Sequence, residues 1–199
     1  MAEMKNNKAN VVTTGECRLS FVNIFEPRPS KNKPEELKYS LTLYIPKTDT
    51  ASLDRIKAGI LAAKNKGVES KWGGKLPGVM ADPNKPFAGT TIHDADTEAG
   101  QDGDLYVTKH PAAKGCYILH VASKNKPGIV DRAGNPIIDP SKVYSGCWGR
   151  ANITFYPYAN AGNKGISAGL NHVQFLRDDD PLGSTVRLED AFDPISDAE

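Results

Sequence analysis

The sequence predicts a mainly β protein, a closed or nearly closed antiparallel barrel with one α-helix inserted between its second and third strands. Three observations predict it. Apolar and polar residues alternate with a period of two in at least five segments, a single stretch after the second of them has helical spacing, and several alternating segments exceed the usual five or six residues. A length of 199 residues, 39% hydrophobic and 25% charged, suits one globular domain that can bury a core of its own. The expected division is a polar, loose N-terminus over 1–14, the barrel over 15–177 and a tail over 178–199.

In chain order, the first strand runs from Cys17 to Phe25, with Cys17, Leu19, Phe21, Asn23 and Phe25 on one face. The segment EPRPSKNKPEEL, with three prolines and charges of both signs, reads as an exposed loop. Lys38–Pro46 alternates most cleanly: Tyr39, Leu41, Leu43 and Ile45 point to the core, and Lys38, Ser40, Thr42 and Tyr44 face outward. A helix then starts at Asp49 or Thr50 as N-cap, carries Leu53, Ile56, Ile60 and Leu61 on its core side, and ends at Gly67. Residues 66–114 lose periodicity and read as an elaborated loop with one short strand at Leu105–Thr108. Cys116–Ser123 alternates again, and GIVDRAGNPII reads as a hairpin. The last two strands are Ser145–Tyr158 and Ile166–Leu176.

Several function classes are excluded or unsupported. The longest uncharged stretch, Ala151–Asn163, contains Asn, Thr, Pro and Gly and cannot span a bilayer, and the N-terminus has no apolar segment of a secretory signal. Cytosolic placement is therefore expected, with Cys17, Cys116 and Cys147 as reduced thiols of no metal-binding spacing. The four histidines form no zinc motif, and no nucleophile elbow, GxGxxG or phosphate loop occurs, so neither enzyme activity nor a cofactor is expected. One cluster keeps a rival open. Asp94, Asp96, Glu98, Asp102 and Asp104 follow His93 and could hold Mg²⁺ or Ca²⁺ in a nuclease or a strand-annealing recombinase, although their spacing fits no calcium loop and a solvated acidic loop is the other reading.

Charge and alternation point to a polyanion. Residues 178–199 hold eight acids against the single base Arg187, a net −7, so residues 1–177 carry +8 of a total of +1. On the penultimate strand, Ala151, Ile153 and Phe155 fill one face, leaving Trp148, Arg150, Asn152, Tyr156 and Tyr158 on the other, about 6.6–7 Å apart. Rings and a guanidinium at that spacing suit single-stranded nucleic acid, whose bases stack while its phosphates meet cations. Lys38 and Tyr44 extend the polar face. Lys31, Lys33, Lys71, Lys75, Lys124, Lys126, Lys142 and Lys164 are candidate phosphate contacts, and Trp72, between lysines and before two glycines, could close over a strand. The alternative reading covers those rings with a loop, the tail or a second subunit, and tucks Trp72 onto the barrel.

The order KYSLTLYIP, helix, GIVDRAGNPII, YSGCWGRANITFYPY, NKGISAGLNHVQFL and acidic tail resembles the bacteriophage single-stranded DNA-binding proteins: the T7-type replication proteins and, more closely, the related enterobacterial-phage family. The resemblance spans about residues 15–199 and is most specific from Tyr144 to Asp180. It implies an oligonucleotide/oligosaccharide-binding (OB) barrel, usually dimeric, that coats single-stranded DNA during phage replication, recombination and repair in the cytoplasm of the infected host. It places the binding strand on Trp148, Arg150, Asn152, Tyr156 and Tyr158 and implies replication proteins as partners of the tail. The tail departs from the T7 type in being shorter and in ending Ala198-Glu199 rather than on an aromatic residue.

Overall fold

The computed structural model describes residues 8–30, 33–100, 102–160 and 162–183. Strands β1 (Val11–Thr13), β2 (Cys17–Ser30) and β3 (Lys33–Pro46) precede helix α1 (Thr50–Ser70); β4 (Ile92–Asp94), the one-turn helix α2 (Tyr106–Lys109), β5 (Cys116–Ser123), β6 (Gly128–Val130), β7 (Trp148–Asn160) and β8 (Asn163–Arg177) follow. Five strands close a ring in the order β2, β3, β5, β8, β7, and β7 returns to β2 through Cys17–Gly149 and Arg18–Trp148. The ring is antiparallel except at one seam, where Ala122 of β5 meets Gly169 of β8 in parallel. This is the expected OB-like barrel. No helix among the described residues is long and apolar enough to cross a membrane.

The core follows the alternation on most strands. Leu19, Leu43, Leu119, Ile153, Phe155 and Ile166 are fully buried inside the ring. Helix α1 starts with Asp49 accepting from the Ser52 amide at 3.0 Å, an N-cap that satisfies an otherwise orphaned donor. Its buried stripe is Leu53, Ile56, Ile60 and Ala63. Leu61 lies off it and is exposed, since one further residue turns about 100° around the helix. The helix also passes Gly67 and ends at Ser70. Gly67 serves packing instead: a Cβ there would lie 2.5 Å from ring carbons of Trp72.

Four other expectations are corrected. The inward face expected for β2 holds at Cys17 and Leu19 and then inverts, so that Phe21 is exposed and Ile24 buried. The cause is a bulge: Ser20 pairs with Thr42 and Asn23 with Ser40, three residues against two, and Phe21 takes the left-handed φ of +48°. The proline-rich segment after Phe25 is no loop but continues β2 and β3 as a two-stranded ribbon, pairing Arg28 with Lys38 and Pro29 with Leu37. Pro27 and Pro29 are tolerated there because β2 pairs with β7 only at its start, leaving the rest of that edge with no ladder hydrogen bond to lose. Leu105–Thr108 is not a strand; α2 occupies it. Tyr44, expected outward, is buried with Ala95, Ala113 and Ile118 because the segment around α2 packs across the outer face of β3.

The Trp72 ring is buried and its Nε1 donates to the Tyr158 carbonyl at 3.0 Å, so it cannot easily retreat from Gly67. Replacing Gly67 by alanine gains up to about 1 kcal/mol of helix propensity but overpacks the ring at a cost of about 1–3 kcal/mol. Urea unfolding of Gly67→Ala is expected to show a lower midpoint at unchanged slope. A raised midpoint would mean the ring is not wedged there.

Candidate nucleic-acid interface

Five neighbouring strands carry an open groove of about 850 Å³ on the outside of the barrel. Tyr156 comes from β7, Ser167 from β8, His120 and Ala122 from β5, Ser40 and Thr42 from β3, and Phe21 and Arg28 from β2. Its lining thus draws on every strand of the ring. Tyr156 can stand open there because Ser167, its partner on β8, is small and Gly169 two residues on lacks a side chain. Phe21 stands open because the bulge turns it out of the core. Both rings line the same groove.

Its electrostatics are cationic with one internal counter-charge. Arg28, Lys38 and Lys124 line it. Glu36, on the ribbon, pairs with Lys38 at 3.2 Å, Lys124 at 3.4 Å and Lys33 at 3.6 Å. Those contacts, the Lys38 hydrogen bond foremost, hold the Glu36 carboxyl below the ordinary carboxylate range. At neutral pH Glu36 is an anion lodged where a phosphate would meet the same ammonium groups. The Thr42 hydroxyl and His120 Nδ1 share a 2.9 Å hydrogen bond on the groove floor.

The remaining expected residues are spread over other surroundings. Tyr158 is exposed, its hydroxyl end lying over Gly165. Asn152 is tied into a polar ladder, donating to Thr13 Oγ1 at 2.9 Å and accepting from Asn171 at 2.8 Å. Arg150 is exposed and donates to Gln174 at 2.6 Å. Trp148 is half-buried: the Arg177 guanidinium stacks 4.4 Å from its ring centre, and its Nε1 donates to Asp179 at 2.6 Å. That hydrogen bond, followed by the Asp180 amide and the nearby arginines, depresses the Asp179 pKa. Arg18 reinforces the strap by donating to the Asp180 carbonyl at 2.7 Å, and Tyr144 Oη by donating to Asp178 at 3.0 Å. The first residues of the acidic tail therefore cover Trp148. The tail from Ser184, Lys31 and the start of the N-terminal segment lie outside the described residues.

Tyr44 and Trp72 are not wet platforms, being 1% and 3% exposed. Lys142 lies on a 3₁₀ turn, Pro140–Lys142, and is exposed away from the groove lining. Of the residues singled out from the sequence, the groove brings together Tyr156, Lys38 and Lys124, and it adds Phe21, Arg28 and His120, which sequence reasoning missed. Only the bulge could have exposed Phe21, and nothing in the alternation of Cys17–Phe25 signals it.

Each carboxylate of the acidic cluster already has a basic side chain beside it. Lys47 pairs with Asp94 at 2.6 Å and Asp96 at 2.7 Å, Lys109 with Asp102 and with Asp104, and His93 lies 3.2 Å from Glu98. Among the described residues no group of three or more His, Cys, Asp or Glu could hold a metal ion.

Comparisons with known proteins agree on kinship. The family model described as Enterobacter phage Enc34, ssDNA-binding protein, matches residues 10–199. Protein p50 of Acyrthosiphon pisum secondary endosymbiont phage 1 is 33% identical over 191 residues, covering 92% of each chain. Among solved structures, the single-stranded DNA-binding protein of bacteriophage Enc34 in complex with ssDNA superposes with a TM-score of 0.69 at 23% identity, covering 88% of this chain and 91% of that one. Bacteriophage T7 gp2.5, a single-stranded DNA-binding protein, gives 0.56 at 12% identity, covering 90% and 96%. The two structural likenesses speak for the fold, and the family match over nearly the whole chain decides membership. This chain belongs to the Enc34 family of phage single-stranded DNA-binding proteins.

Proposed function

We propose that this protein binds and protects single-stranded DNA with little sequence preference during phage DNA replication, recombination and repair in the cytoplasm of the infected host. The observation that carries the reading is the groove, in which an open tyrosine and an open phenylalanine share one surface with Arg28, Lys38 and Lys124. Rings offer each base a flat face regardless of its identity, and ammonium or guanidinium groups meet the backbone, which repeats regardless of sequence. Neither kind of contact depends on which base is bound, in keeping with low specificity. Arg150, Asn152 and Tyr158 continue the contact surface along β7, and Trp148 joins it once Asp179 lets go of its indole. Lys142 contributes to the basic field that draws the strand in.

In the same reading the protein is a homodimer, and its acidic tail serves both to compete for the groove when DNA is absent and to reach replication proteins. The nuclease or recombinase alternative has less support, because Lys47 and Lys109 already occupy four carboxylates of the Asp94–Asp104 cluster. Labelled single-stranded DNA incubated with Mg²⁺ is expected to remain intact; cleavage would revive that alternative.

Three substitutions test the groove by different signatures. Lys38→Ala and Lys124→Ala are expected to weaken binding at low salt and each to flatten the slope of log K against log salt by about 0.7, one phosphate contact on a single strand. Tyr156→Ala is expected to cost about 1–3 kcal/mol at every salt concentration with the slope unchanged. Fluorescence anisotropy with a labelled oligothymidylate reads both, and parental binding by all three variants would place the interface elsewhere.

Glu36 gives a prediction of opposite sign. Glu36→Gln removes the carboxylate that competes with phosphate for Lys38 and Lys124, so affinity is expected to rise by up to about fivefold at low salt. A loss of affinity would show that Glu36 positions the lysines instead of screening them.

A further inference from the structure

The groove does not end at β2. Phe21 forms the rim between it and a second cavity of about 440 Å³, whose lining includes Tyr44, His110, Ala112, Ser145 and Leu182. The rim is built at a cost. Phe21 is the one non-glycine residue among those described that has a positive φ, and it holds half its ring in water. Asn23 fixes that conformation by donating from Nδ2 to the Phe21 carbonyl at 2.9 Å. A strained backbone that displays an apolar ring at a cavity mouth is a place to look for a ligand.

The lining chooses the ligand's chemistry. The His110 ring meets Phe21 edge-on at 5.3 Å between centres and lies against Tyr106 at 4.4 Å, so the mouth is an aromatic corner. Lys109 is the one lysine or arginine among the described lining residues, and Asp102 and Asp104 already neutralise it. A phosphate finds no unpaired cation there, whereas the flat, uncharged part of a nucleotide finds rings and aliphatic walls. Ser145 Oγ accepts from the Val22 amide at 3.1 Å and keeps its own proton to give, a donor suited to a base carbonyl.

We propose that this cavity takes one nucleobase turned out of the strand that lies in the groove, stacked in the Phe21–His110 corner. The inference rests on the groove being the DNA path and adds where the path ends: phosphates stay with Arg28, Lys38 and Lys124, and the last base passes the Phe21 rim. Because the contact is apolar, losing it lowers affinity without changing the salt slope, unlike loss of a lysine.

The test fills the cavity without touching the groove. Ala112→Phe, with Ala112→Leu as a smaller filler should the larger one fail to fold, is titrated with an oligothymidylate and with the same strand carrying one 2-aminopurine at its end. Filling is expected to weaken binding about tenfold at an unchanged salt slope. It should also abolish the 2-aminopurine quenching that the unsubstituted protein produces at saturation. Parental affinity and parental quenching in the filled variants would overturn the proposal, and tighter binding would overturn it too, by showing that the cavity holds a competing segment of the chain. Failure of the unsubstituted protein to bind the oligothymidylate would instead overturn the functional reading itself.

Discussion

Ala151, Ile153 and Phe155 are each fully buried, and the rest of the structure depends on that fact. They are alternate residues of β7, the strand that pairs with β8 over its whole length and closes the ring against β2. Burying an isoleucine or phenylalanine side chain stabilises by about 1.5–3 kcal/mol each, so a one-residue slip would forfeit several kcal/mol and turn polar residues into the core. The same alternation that holds the barrel shut therefore forces Arg150, Tyr156 and Tyr158 out into water. Stability and the outward display of the polar face of β7 are one constraint.

The two ends of β7 present similar chemistry in different surroundings. At its start, Trp148 stacks with Arg177 and gives its N–H to Asp179, so ring, cation and carboxylate satisfy one another. Towards its other end, Tyr156 faces small residues of β8 and a groove lined with cations from β2, from β3 and from just past the end of β5. The cations at that end are held in check by Glu36 alone among the described acids that pair with Lys38 or Lys124. A polyanion that brings several phosphates at once can outcompete one carboxylate. The start of the tail, by contrast, is pinned by Arg18, Tyr144 and Trp148 together.

How much of this was legible in the sequence follows from where local rules decide the outcome. The penultimate strand alternates because it has one wall in the core, and its faces were readable; Cys116–Ser123 was readable as a strand, though neighbouring Ile118 and Leu119 are buried on its opposite faces. The α1 stripe was readable for the same reason, up to Leu61. Phe21 was not, because one inserted residue inverts the parity of β2 and no residue type marks it. Tyr44 was not, because what covers it arrives from residues 95–113, far along the chain. Gly67 resembles a stop signal but is the space into which the Trp72 ring packs, a tertiary demand that overrides propensity. The groove, made by five strands at once, was visible only as fragments: Tyr156, Lys38 and Lys124 were singled out separately, and the barrel brings them to one surface.

In the proposed function, unpaired bases and phosphates lie across this basic, ring-bearing groove. A gel-shift series with single-stranded DNA, duplex DNA and RNA at two salt concentrations tests it most directly. Single-stranded DNA is expected to be retarded, less so as salt rises, and duplex DNA of the same sequence to be bound less well. Absence of a single-strand complex at low salt, or equal retention of duplex, would contradict it.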